Sequence, residues 1–190
     1  MASVVLDFSM SLDGFIAGPN VSTELPMGEG GMRLHEWLFA APPSAVDAVA
    51  GRRMRETTGA VVLGRRTFDV GVGEWEDTPF PVPCFVVTHE PLEERVEKTG
   101  TFTFMDDLEH AVQLAKAAAG EKDVRLMGAE LARQALEAGL ADEIGVQLVP
   151  VLLSGGHRLF ENLGTGPIEL ELESVIESPR VTHLHFRVVK

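Results

Sequence analysis

Cationic side chains are scarce in this chain. Its 190 residues hold 16 Lys and Arg against 29 Asp and Glu, a formal net charge of −13. That balance repels phosphate backbones and anionic lipid surfaces, so neither nucleic acid nor a membrane is expected as a partner. Cysteine is nearly absent. Cys84 stands alone, which excludes an internal disulfide and a thiolate metal cluster. Within the apolar run Val82–Val87 it reads as a core filler rather than a nucleophile. No uninterrupted apolar run approaches the roughly 20 residues a membrane helix needs. The N-terminus lacks a basic region followed by an apolar stretch and a small-residue cleavage site. The cytoplasm is therefore the expected compartment, and the sequon Asn20-Val21-Ser22 carries no weight. Also missing are a G-x-G-x-x-G after the first strand-like segment, a Walker A loop and a G-x-S-x-G elbow. Their absence argues against the usual Rossmann dehydrogenases, P-loop enzymes and α/β hydrolases.

What is present is ordinary globular material, 45% hydrophobic and 24% charged, with no repeat and no dividing linker. One domain over residues 1–190 is expected. Strand-like and helix-like patterns alternate along it. Val4-Val5-Leu6 opens a first strand that ends near Met10. Ser44 is a plausible N-cap for a helix to about Thr57. Ala60–Leu63 and Val124–Met127 are short, wholly apolar or nearly apolar runs, as in strands buried on both faces. Cys84–Thr88 and Thr101–Met105 look like two more. Asp106 and Glu109 make a capping-box pattern before an Ala-rich helix to about Ala119. Glu143–Leu153 reads as a strand interrupted by Pro150. The last 25 residues change to strict period two. Ile168, Leu170 and Leu172 alternate with Glu169, Glu171 and Glu173. Leu184, Phe186 and Val188 alternate with His183, His185 and Arg187. This predicts a C-terminal antiparallel hairpin with one wet face, turning at Pro179. The fold class is α/β: a mixed, mostly parallel sheet of about eight strands with helices on both faces.

Two strand-to-helix junctions carry the chemistry. One is Val61-Val62-Leu63-Gly64-Arg65-Arg66-Thr67-Phe68, the other Val124-Arg125-Leu126-Met127-Gly128-Ala129-Glu130-Leu131. Glycine at such a bend lets a ligand approach the backbone, and the free N–H groups of the first helical turn hold phosphate oxygens. At the first junction Arg65 or Arg66 adds charge and Thr67 a hydroxyl. Two such bends on parallel strands face the same sheet edge, where open α/β folds bind ligands. The plainer reading is that each glycine merely ends a strand.

Taken in order, the segments resemble the dihydrofolate reductase-like superfamily, nearest to the reductase domain of bacterial riboflavin biosynthesis and its stand-alone relatives. The matching pieces are Ser11-Leu12-Asp13-Gly14-Phe15-Ile16-Ala17, Gly64-Arg65-Arg66-Thr67-Phe68, Val86-Val87-Thr88-His89 and Met127-Gly128-Ala129-Glu130-Leu131. The last is the stretch from Gly139 to Gly156. The resemblance implies an NADPH-dependent reductase and a homodimer. It implies that Ile16, Ala17 and Gly18 border the nicotinamide. Gly64, Arg65 and Thr67 would hold the pyrophosphate and the adenosine-side phosphate. Thr88 and His89 would lie near the adenosine ribose and its 2′-phosphate, and Gly128, Ala129, Glu130 and Leu131 would wrap the pyrophosphate from the other side. Two departures stand out. Met127 precedes a lone Gly128 where the family often has consecutive glycines. His89 stands where relatives carry a different small or basic residue, which bears on the preference for NADPH over NADH. The deaminase signatures H-x-E and P-C-x-x-C are absent, so the chain is expected to be at most the reductase half.

Hydride transfer needs a dry pocket and often a proton donor. Asp13 is the first candidate for contacting substrate or donating the proton, against a plain reading as a loop Asp beside Gly14. Glu36 is the second, against a reading as a solvated helix residue. His183 and His185 share a strand face, but pairing with Glu169, Glu171 and Glu173 explains them without a metal, and no metal is expected. The expected reaction is reduction of a small heterocyclic substrate, most like 5-amino-6-(5-phosphoribosylamino)uracil. The alternatives are a dihydrofolate or pterin reductase, and a nucleotide-binding protein of this fold without catalysis.

Overall fold

The computed structural model describes residues 2–42, 44–90 and 92–190. The apolar runs become the middle of one sheet. β1 (Val4–Ser11) lies between β7 (Asp123–Met127) and β8 (Glu143–Val149), parallel to both. Beyond β7 follow β3 (Thr58–Gly64), β4 (Cys84–Val87) and β6 (Thr101–Met105), also parallel. The short β5 (Arg95–Val96) closes that side antiparallel to β6. On the other side β11 (Thr182–Val188) runs antiparallel to β8, and β10 (Leu170–Glu177) antiparallel to β11. The order of the nine is β10-β11-β8-β1-β7-β3-β4-β6-β5. A separate ribbon pairs β2 (Phe15–Ala17) with β9 (His157–Arg158).

Alternation along the central strands places helices on both faces. Val4, Leu6, Ala60, Val62, Val124 and Leu126 meet α4 (Leu108–Ala119) and α5 (Ala129–Glu137) in the main core. The intervening Val61 and Leu63 turn the other way, onto Phe68 and Val72 of α3 (Arg65–Trp75). On this second face α1 (Glu36–Phe39) and α2 (Ala45–Thr57) cover the β8–β11 side around Leu34, Trp37 and Val149. Each fully buried Val or Leu of this kind stabilises the fold by about 1.5–3 kcal/mol relative to exposure. Cys84 is buried in β4, and desolvation pushes its thiol up to about 12. It is a core residue. Among the described residues no helix is long and apolar enough to cross a membrane.

Three expectations need correction. The cap of α4 is Asp107, whose carboxylate accepts from the His110 N–H at 2.6 Å, not Asp106. The alternating C-terminal strands behave differently from each other. β11 turns Leu184, Phe186 and Val188 to the core, as expected. β10 is an edge strand whose Leu170, Leu172 and Val175 are all more than 40% exposed, and its register shifts between Leu172 and Ser174. The histidines also separate. His185 bonds Glu143 at 2.9 Å and reaches Glu173 at 3.4 Å, but His183 pairs with buried Asp47 of α2 at 2.9 Å.

Candidate active site

Residues Leu63 and Met127 are partners in the β3–β7 ladder. The two junction glycines, Gly64 and Gly128, follow them side by side at the carboxyl edge of the sheet. Gly64 is the N-cap of α3 and Gly128 the N-cap of α5. Neither helix start has a side-chain cap among the described residues. Their first-turn N–H groups are therefore open to an acceptor from outside. The junctions also touch. A Cβ on Gly128 would lie 2.7 Å from Thr67 Oγ1, and one on Gly64 would meet Leu131 Cγ at 3.6 Å. Gly128 has φ 106° and ψ 135°, a conformation nearly reserved for glycine. So the backbone of one helix start faces the hydroxyl of the other, with no side chain between them. The two bends thus form one backbone cradle.

The neighbouring strand supplies a second wall. Val87 of β4 pairs with Gly64, which sets Thr88 and His89 next to α3. Thr88 is buried and its hydroxyl accepts from the Glu90 N–H at 3.2 Å. His89 is exposed. Arg65 does not point into the open. Its Nε donates to Asp69 at 2.8 Å and its Nη1 to Glu90 at 2.5 Å. Those two bonds raise its pKa, Asp69 contributing most. Glu90 was not legible as a site residue. It lies 25 positions from Arg65, and only the adjacency of β3 and β4 brings them together. Glu130 is likewise engaged, with Arg133 at 2.5 Å and with Gln134 at 2.8 Å.

The loop after β1 leaves the same edge of the sheet, since β1 runs parallel to β7. Ile16 packs against the main core, and Ala17 pairs with His157 of β9. The Ala17–Gly18 backbone is clasped from two sides. A Cβ on Gly18 would lie 1.9 Å from Glu29 O, and one on Gly156 would lie 2.0 Å from Ala17 O. The Gly18 N–H donates to Met27 O at 2.9 Å. These approaches fix the course of the loop.

Asp13 lies in the turn between β1 and β2. Its carboxylate accepts from Ser11 Oγ at 2.6 Å, from the Leu153 N–H at 3.1 Å and from the Ser154 N–H at 2.8 Å. These bonds hold its pKa below the usual carboxylate value, the Ser11 hydroxyl contributing most. An ionised carboxylate with three donors anchors the loop to the 153–154 segment and is poorly suited to giving up a proton. Glu36 is exposed at the first position of α1. The residue of that helix that reaches the sheet is Trp37, whose Nε1–H donates to Ser9 Oγ at 2.9 Å. The structure thus brings Gly64, Thr67 and Gly128 together, sets Thr88 and Arg65 beside them, and leaves Glu36 in solvent.

A cavity of about 460 Å³ lies elsewhere, between α2 and the second sheet face. Several of its polar groups bond one another. Asp7 accepts from Arg125 and from Gln147 (2.5 Å), and Arg125 also bonds Thr58 at 3.0 Å. His183 and His185 there are held by Asp47 and Glu143.

Residues 2–184 match the family model of the RibD C-terminal domain. No curated protein matches the chain. Among solved structures, a candidate riboflavin biosynthesis protein of Shewanella sp. PV-4 superimposes with TM-score 0.75 at 22% identity, covering 100% of both chains. A pyrimidine reductase-like protein of Corynebacterium diphtheriae matches with TM-score 0.65 at 15% identity, over 100% of this chain and 92% of that one. A Thermotoga maritima diaminohydroxyphosphoribosylaminopyrimidine deaminase/5-amino-6-(5-phosphoribosylamino)uracil reductase matches with TM-score 0.62 at 13% identity. That match covers 99% of this chain and 57% of the bifunctional one. At these identities the superpositions speak to the fold, a dihydrofolate reductase-like sheet.

Proposed function

The chain belongs to the RibD C-terminal domain family, and from that membership we propose that it is an oxidoreductase reducing a small heterocyclic substrate with a nicotinamide dinucleotide. The observation that carries this reading is the pair of touching, uncapped helix starts at Gly64 and Gly128. The first turns of α3 and α5 present N–H groups to a diphosphate, Thr67 adds a hydroxyl, and no Cβ stands in the way. The residues present therefore fit such a cofactor. When bound, the nicotinamide supplies a hydride to an electrophilic carbon.

The protein's own contribution is placement. Gly64, Arg65, Thr67 and the Gly128–Leu131 turn hold the phosphates. Thr88 and His89 flank the adenosine ribose. Ile16, Ala17 and Gly18, fixed by Glu29, Met27 and Gly156, form the rigid lip beside the nicotinamide and keep water from it. Asp13 acts as a positioning residue for that lip through Leu153 and Ser154. Within this reading the substrate is most like 5-amino-6-(5-phosphoribosylamino)uracil. The pterin-reductase alternative calls for a carboxylate at the pocket floor, and Glu36 is exposed instead. A homodimer is part of the same proposal.

Titration calorimetry with a nicotinamide dinucleotide tests it. Arg65→Ala should weaken binding by about 1.5–3 kcal/mol, the scale of a lost charge-assisted hydrogen bond. Unchanged affinity removes Arg65 from the site. Cofactor oxidation that depends on a second compound separates an enzyme from a binding protein.

A further inference from the structure

Selectivity between the two nicotinamide dinucleotides is written into the corner beside Arg65, given the cofactor reading above. Two of the three Arg65 guanidinium nitrogens, Nε and Nη1, already have carboxylate partners, which leaves Nη2 for the diphosphate. The guanidinium lies between Asp69 at 2.8 Å and Glu90 at 2.5 Å. Glu90 is held there by the turn at the end of β4, where its N–H donates to Thr88 Oγ1 at 3.2 Å and Thr88 N–H donates to Met105 O at 2.7 Å. One guanidinium against two carboxylates leaves this corner anionic. His89, the basic residue of that turn, is exposed and has no carboxylate partner among the described residues.

The two dinucleotides differ only at the adenosine 2′ position. A 2′-phosphate brings between one and two further negative charges near neutral pH. To bond Nε or Nη1 of Arg65 it must displace Asp69 or Glu90 and then remain beside both. A 2′-hydroxyl needs no such exchange. It has a proton to donate, and Glu90 has an acceptor oxygen at the ribose corner. An acidic residue serves the ribose hydroxyl in this way in other dinucleotide sites. We propose that Glu90 makes this site select NADH, whose adenosine ribose carries a free 2′-hydroxyl, over the phosphorylated NADPH.

The test is a pair of binding titrations, NADH and NADPH, on the wild-type chain and on Glu90→Gln at low ionic strength. The Glu90 side chain is 71% exposed, so the substitution leaves the core untouched. The wild type should bind NADH at least as tightly as NADPH. Glu90→Gln should move the ratio of the two dissociation constants toward NADPH by about tenfold, or 1.4 kcal/mol. Wild-type binding of NADPH that is about tenfold tighter than NADH, or a ratio unmoved within about threefold in the variant, overturns the inference. In either of those cases both ligands still bind and the cofactor reading stands. If neither dinucleotide binds, the cofactor reading itself fails and this selectivity fails with it.

Discussion

Replacing Gly128 by alanine should damage stability through two separable effects. The backbone at 128, with φ 106° and ψ 135°, is one an L-residue adopts at a cost of about 1–3 kcal/mol. The new methyl would also sit 2.7 Å from Thr67 Oγ1, and forcing such an overlap costs roughly another 1–3 kcal/mol. The single variant should therefore lose about 2–6 kcal/mol, a large share of the 5–15 kcal/mol typical of a domain. Thr67→Ala removes the overlapping oxygen, and the remaining Cβ lies at an ordinary 3.8 Å. In that background Gly128→Ala should cost only the backbone part. Urea unfolding of the four proteins gives the coupling directly, expected at about 1–3 kcal/mol. Equal cost of Gly128→Ala in both backgrounds would show that the two helix starts do not touch, and the cradle would have no basis.

Three other outcomes follow from the same contacts. Asp7→Ala should destabilise by about 3–5 kcal/mol, because it strips the partner from buried Arg125; equilibrium unfolding within about 1 kcal/mol of wild type contradicts this. The His185–Glu143 pair should make stability depend on pH with a definite sign. His185 is raised above the ordinary imidazole value, chiefly by its bond to Glu143, so its contribution is full below that value and fades as pH rises through the folded one. Glu143 is lowered, chiefly by His185, so its contribution is present above the ordinary carboxylate value and fades in acid through the folded one. His185→Gln should flatten the alkaline loss, and an unchanged profile would show the pair to be idle. Asp13→Asn should slow turnover while leaving dinucleotide affinity near wild type, as expected of a loop anchor; a matched loss of affinity would place Asp13 against the cofactor.

The parallel core and both junctions were legible because a glycine ending an apolar or nearly apolar run has few explanations. Ser44 likewise declared the start of α2, and its hydroxyl accepts from the Asp47 N–H at 3.0 Å. Less legible was anything set by strand order. Asp13 finds its partners 140 and 141 residues away, and Glu90 reaches Arg65 only across two strands. Spacing along the chain holds no trace of either. The burial of β10 was misread for a different reason. Alternating Leu and Glu has the same period whether a strand lies against a core or at the rim of a sheet, and nothing local distinguishes the two.

That rim strand bears on how copies of this protein coexist at high concentration. β10 ends the sheet with a row of backbone groups that a like strand would ordinarily zip onto. It carries Glu171, Glu173 and Glu177 along its eight residues, and the irregular pairing at 173 breaks its flatness. A second copy laid alongside would set acid against acid on a kinked template. Stacking into ribbons is thereby discouraged at the cost of leaving several leucine and valine side chains wet, and acidic conditions that neutralise those glutamates should be where such protection weakens.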